Sequence, residues 1–351
     1  MANDKKINLN KYYEDLNISE QITTSTTNKL EPKIEPETNP ANYKVLKQGV
    51  ETNKLSKVLI NKKNTKSDPI TGVATYKYDD DLSIFIADFD DLKGFRTSTS
   101  QLLDALTMAY TQSGINDAAV SLSLADYMSL RGLKDKKSAR KQVNEDLDTL
   151  YMASINCKRI KLGDNEEENK EDYMDTRVIQ KKGISKGNII VKFADDYRSL
   201  LDSYTIMPYA EELYKINGHY NPYSFYLLRR ILEHKNMNVG RKNEHRISVN
   251  TLLKACPNMP TYTEVMNTDR AVNRRIIEPF ERDLDAEEVK DVIMWNFCHQ
   301  NGKPLTDEEV SNMDYNLFQT LLIEFEFKNY PSQVKRLKKK YSKKKQEKEK
   351  K

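Results

Sequence analysis

An α+β, helix-rich fold built as two successive helix-turn-helix units is what the sequence predicts, on three observations. The order helix, strand, Ser-capped helix, turn, helix, strand pair reads out twice, from Ser100 to Phe193 and again from Asn221 to Phe327. The third helix of each unit divides into an apolar stripe and a cationic face. Both ends of the chain are too polar or too charged to build a core: residues 21–42 (QITTSTTNKLEPKIEPETNPAN) and the lysine run 335–351. Units of this kind, each closed by a strand pair, predict tandem winged-helix domains. The expected boundaries are 1–75 for a mostly disordered N-terminal region, 76–205 and 206–330 for the two units, and 331–351 for the tail.

The N-terminal cluster Ile7, Leu9, Tyr12, Tyr13, Leu16 and Ile18 reads as a solvated tail in preference to a short docking helix, and residues 21–42 bury too little to offset chain entropy. Periodic order is expected from near Tyr76. Leu82 to Ala87 alternates like a strand and leads past Gly94 to a helix start. Ser100 precedes a helix carrying Leu102, Leu103, Leu106, Met108 and Tyr110, which Gly114 stops. A short strand, Ala119 to Leu122, follows. Ser123 then caps a helix over 124–131, Gly132 turns, and a third helix runs over 136–152. Ser154 to Lys161 is β-rich, Gly163 to Asp175 is an acidic excursion, and strands are expected at 177–180 and 188–193.

In the second unit Asn221-Pro222 opens a helix with Phe225, Leu227, Leu228, Ile231 and Leu232, and 246–249 is a strand. Ser248 caps a helix through Leu252 and Leu253. A turn with Pro257 and Pro260 leads to a third helix from Asp269 to about Leu284. Val292 to His299 and Leu317 to Phe327 read as strands. EDLD at 145–148 is echoed by RDLD at 282–285.

The third helices carry the chemistry. In the first, Ala139, Val143, Leu147 and Leu150 form one stripe, and Lys136, Lys137, Arg140, Lys141 and Asn144 share another face. A cationic helix after a short helix and tight turn suits the major groove, where guanidinium, ammonium and amide groups meet base-edge acceptors. A solvated face is the alternative. In the second, Val272, Ile276 and Phe280 face inward opposite Arg270, Asn273, Arg274 and Arg275, and the arginines make this the preferred base reader. Pro279 is expected to kink the C-terminal half and leave Arg270 to Arg275 on undistorted helix. Lys181, Lys182 and Lys186, beside Gly183 and Gly187, are candidates for phosphate or minor-groove contact at the first wing, with an ordinary exposed hairpin as the alternative. The roles of Arg229, Arg230 and Arg241 stay open between structure and DNA backbone.

Charge is distributed unevenly. The formal net charge is +4, yet 335–351 holds 11 basic and 2 acidic residues, so the tail carries +9 and the rest −5. Such a tail, with Lys338, Lys339 and Lys340 at its centre, suits phosphate contact. No apolar run reaches membrane length and the N-terminus lacks the apolar segment of a signal peptide, so a cytoplasmic protein is expected. Cys157, Cys256 and Cys298 are too dispersed for a disulfide framework or metal knuckle.

Enzyme classes find no support. His219, His234, His245 and His299 form no HxH metal cradle, no GxxxxGK[ST] loop is present, and the acidic runs 79–81 and 164–168 read as solvated loops. The tyrosines read as packing groups. No catalytic residue, metal or cofactor is therefore expected.

The string DRAVNRRIIEPFERDLD (269–285), after SVNTLL (248–253), resembles the second winged helix of the iteron-binding plasmid replication initiators. LSLADYMSLRGL (122–133) is similar, less distinctly, to their other winged domain. The likeness in architecture spans roughly 95–330. It implies that two winged helices bind origin repeats in duplex DNA. Arg270, Asn273, Arg274 and Arg275 would then read one groove, while Lys136, Lys137, Arg140 and Lys141 engage the next. It also implies recruitment of host initiator and helicase, and a homodimer form. The long N-terminal extension and polylysine tail depart from that pattern. A transcriptional regulator and a protein-docking adaptor are the rival readings.

Overall fold

The computed structural model describes residues 43–112, 119–161, 170–202 and 205–330. The expectations for residues 7–18 and 21–42, for Gly114 and for the tail with Lys338, Lys339 and Lys340 lie outside these residues.

Ordered structure begins well before Tyr76. In chain order it comprises β1 (Tyr43–Gln48), α1 (Val50–Leu55), β2 (Ala74–Lys77), β3 (Leu82–Ile86) and α2 (Thr97–Gln112), followed by β4 (Ala119–Ser123), α3 (Leu124–Leu130) and α4 (Lys136–Met152). Then come β5 (Ala153–Lys161), β6 (Lys170–Arg177), β7 (Ile179–Ser185), β8 (Asn188–Phe193), α5 (Asp195–Asp202), β9 (Thr205–Ala210) and α6 (Glu212–Lys215). The remainder is α7 (Ser224–Met237), β10 (Arg246–Ser248), α8 (Val249–Ala255), α9 (Tyr262–Thr268), a π turn (Asn273–Ile277), α10 (Glu278–Leu284), α11 (Glu287–Lys290), β11 (Ile293–Cys298), α12 (Asp307–Ser311), α13 (Tyr315–Thr320) and β12 (Leu322–Phe327). The result is a mixed α/β fold.

Among the described residues the strands form four antiparallel sheets: β1-β9, β2-β3-β5-β6, β4-β8-β7 and β10-β12-β11. The last two share one topology, the first strand pairing with the third and the third with the second. Their entries into the following helix are the same as well. Ser123 and Ser248 each accept the backbone N–H three residues on, of Asp126 and Thr251, and so satisfy a donor that the helix start leaves open. The next residue donates across the sheet, Leu124 to the Gly187 carbonyl at 2.9 Å and Val249 to that of Leu321 at 3.0 Å.

The EDLD/RDLD echo has a structural basis. Asp146 is buried on α4 and accepts hydrogen bonds from Ser98 Oγ (3.0 Å), Thr99 Oγ1 (2.7 Å) and Arg96 Nη2 (2.9 Å) at the start of α2. Asp283 is buried on α10 and accepts from the backbone N–H of Tyr223 (2.5 Å) and Ser224 (3.2 Å) at the start of α7. Burial pushes both carboxyls up, and the donors around them pull against it. In each unit the third helix is thus fastened to the beginning of the first.

The two first helices are also joined. Arg229 of α7, fully buried, bonds Asp104 of α2 and the Asn53 side chain, which settles its role as structural. Gln101 of α2 donates to the carbonyls of Leu213 (2.7 Å) and Ile216 (3.0 Å). Cys157, Cys256 and Cys298 are buried free thiols, and among the described residues no helix is long and apolar enough to cross a membrane.

Several boundaries differ from expectation. The helix expected after Ser100 starts at Thr97, because Asp146 gathers the hydroxyls of Ser98 and Thr99. The later part of the acidic excursion is strand: Ser154↔Arg177 through Lys161↔Lys170 pairs β6 with β5. Leu317 to Phe327 is not all strand, since Asp314 accepts the Leu317 N–H and starts α13 before β12 begins.

The largest difference is the third helical stretch of the second unit. Thr261 and Glu264 form a capping box that starts a separate helix, α9, and the chain breaks at Arg270, whose φ of +57° is left-handed. Helix resumes at Val272 as a π turn, with the Glu278 N–H reaching the Asn273 carbonyl. Pro279 offers no N–H to the carbonyl four residues back and crowds it, and the wider turn relieves that conflict. The distortion therefore lies on the arginine side of Pro279, where regular helix was expected.

Candidate nucleic-acid interface

α4 bears out the division read from its sequence. Ala139, Val143, Leu147 and Leu150 are buried, and Lys136, Lys137, Arg140, Lys141 and Asn144 are exposed. None of the four cations makes an ion pair with another described residue. Asp135 caps the helix by accepting from the backbone N–H of Lys137 (3.3 Å) and Ser138 (2.9 Å). Bonds from the Ser138 hydroxyl and N–H and from the Lys137 N–H hold its carboxyl below the usual range. The helix is preceded by α3 and a turn at Gly132, whose φ of +62° suits glycine.

The ridge works against the stability of its own helix. Lys136 and Lys137 occupy the first turn, where the helix dipole favours acids and no acid is present. Lys136 faces Arg140, and Lys137 faces Lys141, at the i,i+4 spacing where like charges repel. Together these choices cost roughly 1–3 kcal/mol. A polyanion lying on this face would reverse the sign of each term.

The β7-β8 hairpin adds two cations and withdraws a third. Its tip is Lys186-Gly187, with φ of +50° and +82°. A two-residue left-handed tip matches strand twist, but lysine there gives up roughly 1 kcal/mol relative to glycine. The Leu124-to-Gly187 bond sets this tip against the start of α3, and Lys181 is also exposed. Lys182, expected with them, is not free. It forms an ion pair with Asp148 of α4 and lies 5.2 Å from the centre of the Tyr151 ring, and desolvation there lowers its ammonium. Its role is to tie β7 to α4.

The second ridge is less open than the first. Val272, Ile276 and Phe280 are buried as expected, and Asn273 and Arg274 are exposed. Arg270, however, is exposed in the break before the helix and not on the helix itself. Asp269 lies 3.5 Å from Arg274 and 3.7 Å from Arg275, and Arg275 also donates to Thr268 Oγ1 at 2.9 Å. The Ala271 N–H first, and then these arginines, hold the Asp269 carboxyl low. Arg274 retains 72% side-chain exposure and Arg275 38%. The charge expected to make this the better base reader is thus partly met within the molecule, and α4 presents the more open cationic surface. Asp269 is visible in the sequence, but the break that brings it onto the two arginines is not.

Of the other candidates, Arg230 lies 3.7 Å from Glu233, and His299 pairs with Glu309 at 3.2 Å. Among the described residues no group of three or more His, Cys, Asp or Glu side chains is arranged to hold a metal ion.

No family model matches this chain, and no curated protein does. Among the solved structures similar to it are two crystal structures. The selenomethionine derivative of domains 2 and 3 of RctB gives a TM-score of 0.43 at 11% identity, covering 79% of this chain and 98% of that one. A second structure of RctB domains 2-3 gives 0.42 at 14%, covering 78% and 96%. Likenesses of that degree carry no argument about what this chain binds, which rests on its own residues.

Proposed function

We propose that this chain binds duplex DNA sequence-specifically through two winged-helix units and acts as a replication initiator of a plasmid or other mobile element. The observation that carries the binding is the outer face of α4. Four cations and an asparagine stand exposed on a helix whose opposite face is buried, with no partner among the described residues and at a cost to the helix itself. In this reading Arg140 and Asn144 meet base edges, while Lys136, Lys137 and Lys141 neutralise phosphates. Lys186 and Lys181 extend the contact along the backbone from the hairpin, and Asn273, Arg274 and Arg275 supply a second, weaker contact.

The initiator role rests on the resemblance of residues 248–285. It makes the work of the protein mechanical: binding free energy goes into bending and opening DNA, and no bond is made or broken. Origin repeats, host initiator and helicase, a homodimer form and a cytoplasmic location belong to the same reading.

Permanganate footprinting of the protein on the DNA flanking its own coding region tests both halves. Protected repeats with reactive thymines alongside are the expected result. Protection without unpaired thymines would make the protein a regulator, and equal weak affinity for flanking and random duplex would leave a protein-docking adaptor.

A further inference from the structure

Asp269 stands in the break ahead of the second ridge with its side chain 40% exposed. Its carboxylate lies 3.5 Å from Arg274 Nη2 and 3.7 Å from Arg275 Nη1. The residue after it, Arg270, is held in the left-handed region at φ +57°. A side chain there is strained, and strain of this kind gathers at functional positions. The break it makes returns Asp269 to side chains five and six residues later.

Two plain roles leave the charge of Asp269 unexplained. Its Oδ1 accepts the Ala271 N–H at 3.1 Å, but an asparagine side chain makes the same turn bond. Its ion pairs join exposed groups, where such pairs add little stability. What the carboxylate does change is the field that a ligand meets at the arginines.

The two arginines are held unequally. Arg275 is tied a second time, to Thr268 Oγ1 at 2.9 Å, and is 38% exposed. Among the described residues Arg274 is held only through Nη2, and it keeps 72% exposure. A guanidinium pinned at one nitrogen presents the rest of its fork outward. A phosphate arriving at that fork also meets the carboxylate, and the two negative charges repel. A guanine edge carries no net charge, so its O6 and N7 accept from the fork without that penalty. The paired cytosine offers its N4 amino group as a donor, so the same G·C pair also has a partner for the carboxylate.

We propose that Asp269 is a positioning residue that makes the second unit selective for the guanine of a G·C pair. It holds Arg274 toward the guanine edge and keeps phosphates off it. Resting on the duplex-binding reading above, this assigns affinity mainly to α4, whose cations no described acid pairs with, and selectivity to the second ridge.

Selection of random-sequence duplexes by the full chain tests it, with anisotropy on the selected duplex and on a shuffled one. The wild type should enrich a motif containing a guanine that Arg274→Ala no longer selects. Asp269→Asn, which keeps the turn bond, should lower the preference for that guanine by about threefold or more. It should also tighten binding to the shuffled duplex about fivefold at 0.15 M salt and steepen its salt slope by about 0.9, the value of one phosphate contact. Asp269→Ser is read in the same way if the asparagine variant melts lower than the wild type. The proposal is overturned if the guanine preference survives in the folded variant, or if selected and shuffled duplexes gain equally. Should Arg274→Ala leave the motif intact, Arg274 is no base reader and the proposal falls while duplex binding stands. A wild type that enriches no motif ends the sequence-specific reading and this inference with it.

Discussion

Lys137→Glu separates a functional cationic ridge from a merely solvated one, because the two consequences have opposite signs. In the first turn of α4 the substitution turns an unfavourable charge–dipole term of about 0.3–1 kcal/mol into a favourable one. It also replaces the Lys137–Lys141 repulsion by a Glu-to-Lys attraction at i,i+4, a swing of about 0.4–1 kcal/mol. Repulsion from the Asp135 cap removes part of this, so a net gain of about 1–2 kcal/mol is expected, which raises Tm by a few degrees for a chain of this size. Duplex affinity should move the other way. One phosphate contact contributes about 0.9 to the slope of log K against log salt, or roughly fivefold at 0.15 M, and a reversed charge costs more than its removal. Thermal melts and fluorescence anisotropy across a salt series measure both. A raised Tm with unchanged duplex affinity would show that the face is only solvated, and a lowered Tm would refute the electrostatic account of the helix.

Arg140→Ala should cost about 1–3 kcal/mol of duplex binding and relax preference at one base position, whereas Arg274→Ala should cost less because Asp269 already engages that side chain; equal losses in anisotropy would contradict the ranking. Glu233→Gln should lower stability near neutral pH by roughly 3 kcal/mol, since it breaks a buried pair with Lys57 at 2.9 Å. Burial pushes that carboxyl up, but Lys57 and Arg229 outweigh it and hold it below its ordinary value of 4.5. A carboxyl held low in the folded state contributes stability above that value and loses it as pH falls through the folded one. The wild type should therefore lose more stability than the variant on acidification below 4.5, and parallel urea midpoints across that range would refute the assignment. Removing residues 335–351 should weaken every duplex alike and flatten the salt slope; identical slopes would deny the tail a phosphate-binding role.

What could be read in advance was local. α4 was legible from end to end because its stripe, its Gly132 turn and the Ser123 cap of α3 all lie within 30 residues and point to one answer. α1 and β1 were not. Leu46, Leu55, Val58 and Ile60 are buried but sit in apolar runs too short to show a period, and the strand exists because β9, some 160 residues later, pairs with it. The arginine stretch failed for another reason. Its apolar positions, Val272, Ile276 and Phe280, fit α spacing well, yet Pro279 is accommodated by widening the turn ahead of it, and periodicity cannot tell a π turn from an α turn over so few residues. Lys182 looked like Lys181 and Lys186 because nothing in its neighbourhood shows that Asp148, on another element, lies beneath it.

The acids of α4 explain why one ridge is more open than the other. Glu145 stands four residues after Lys141, where it would neutralise it on an isolated helix, but Arg96 draws it away at 3.2 Å. Asp146 is turned inward to the start of α2, and Asp148 is engaged by Lys182. Every acid between Lys136 and Met152 is thus committed to fastening the helix to neighbouring elements, and the cations are left without an ion-pair partner among the described residues. The second unit repeats the inward aspartate with Asp283, but it keeps one further acid, Asp269, at the break before the π turn and within 4 Å of two arginines. A duplex approaching that face would have to displace an existing interaction, whereas on α4 it would meet cations that no described residue pairs with. The same anchoring scheme therefore leaves two cationic surfaces unequally open, and on the proposed function α4 is the one from which most of the binding free energy would be drawn.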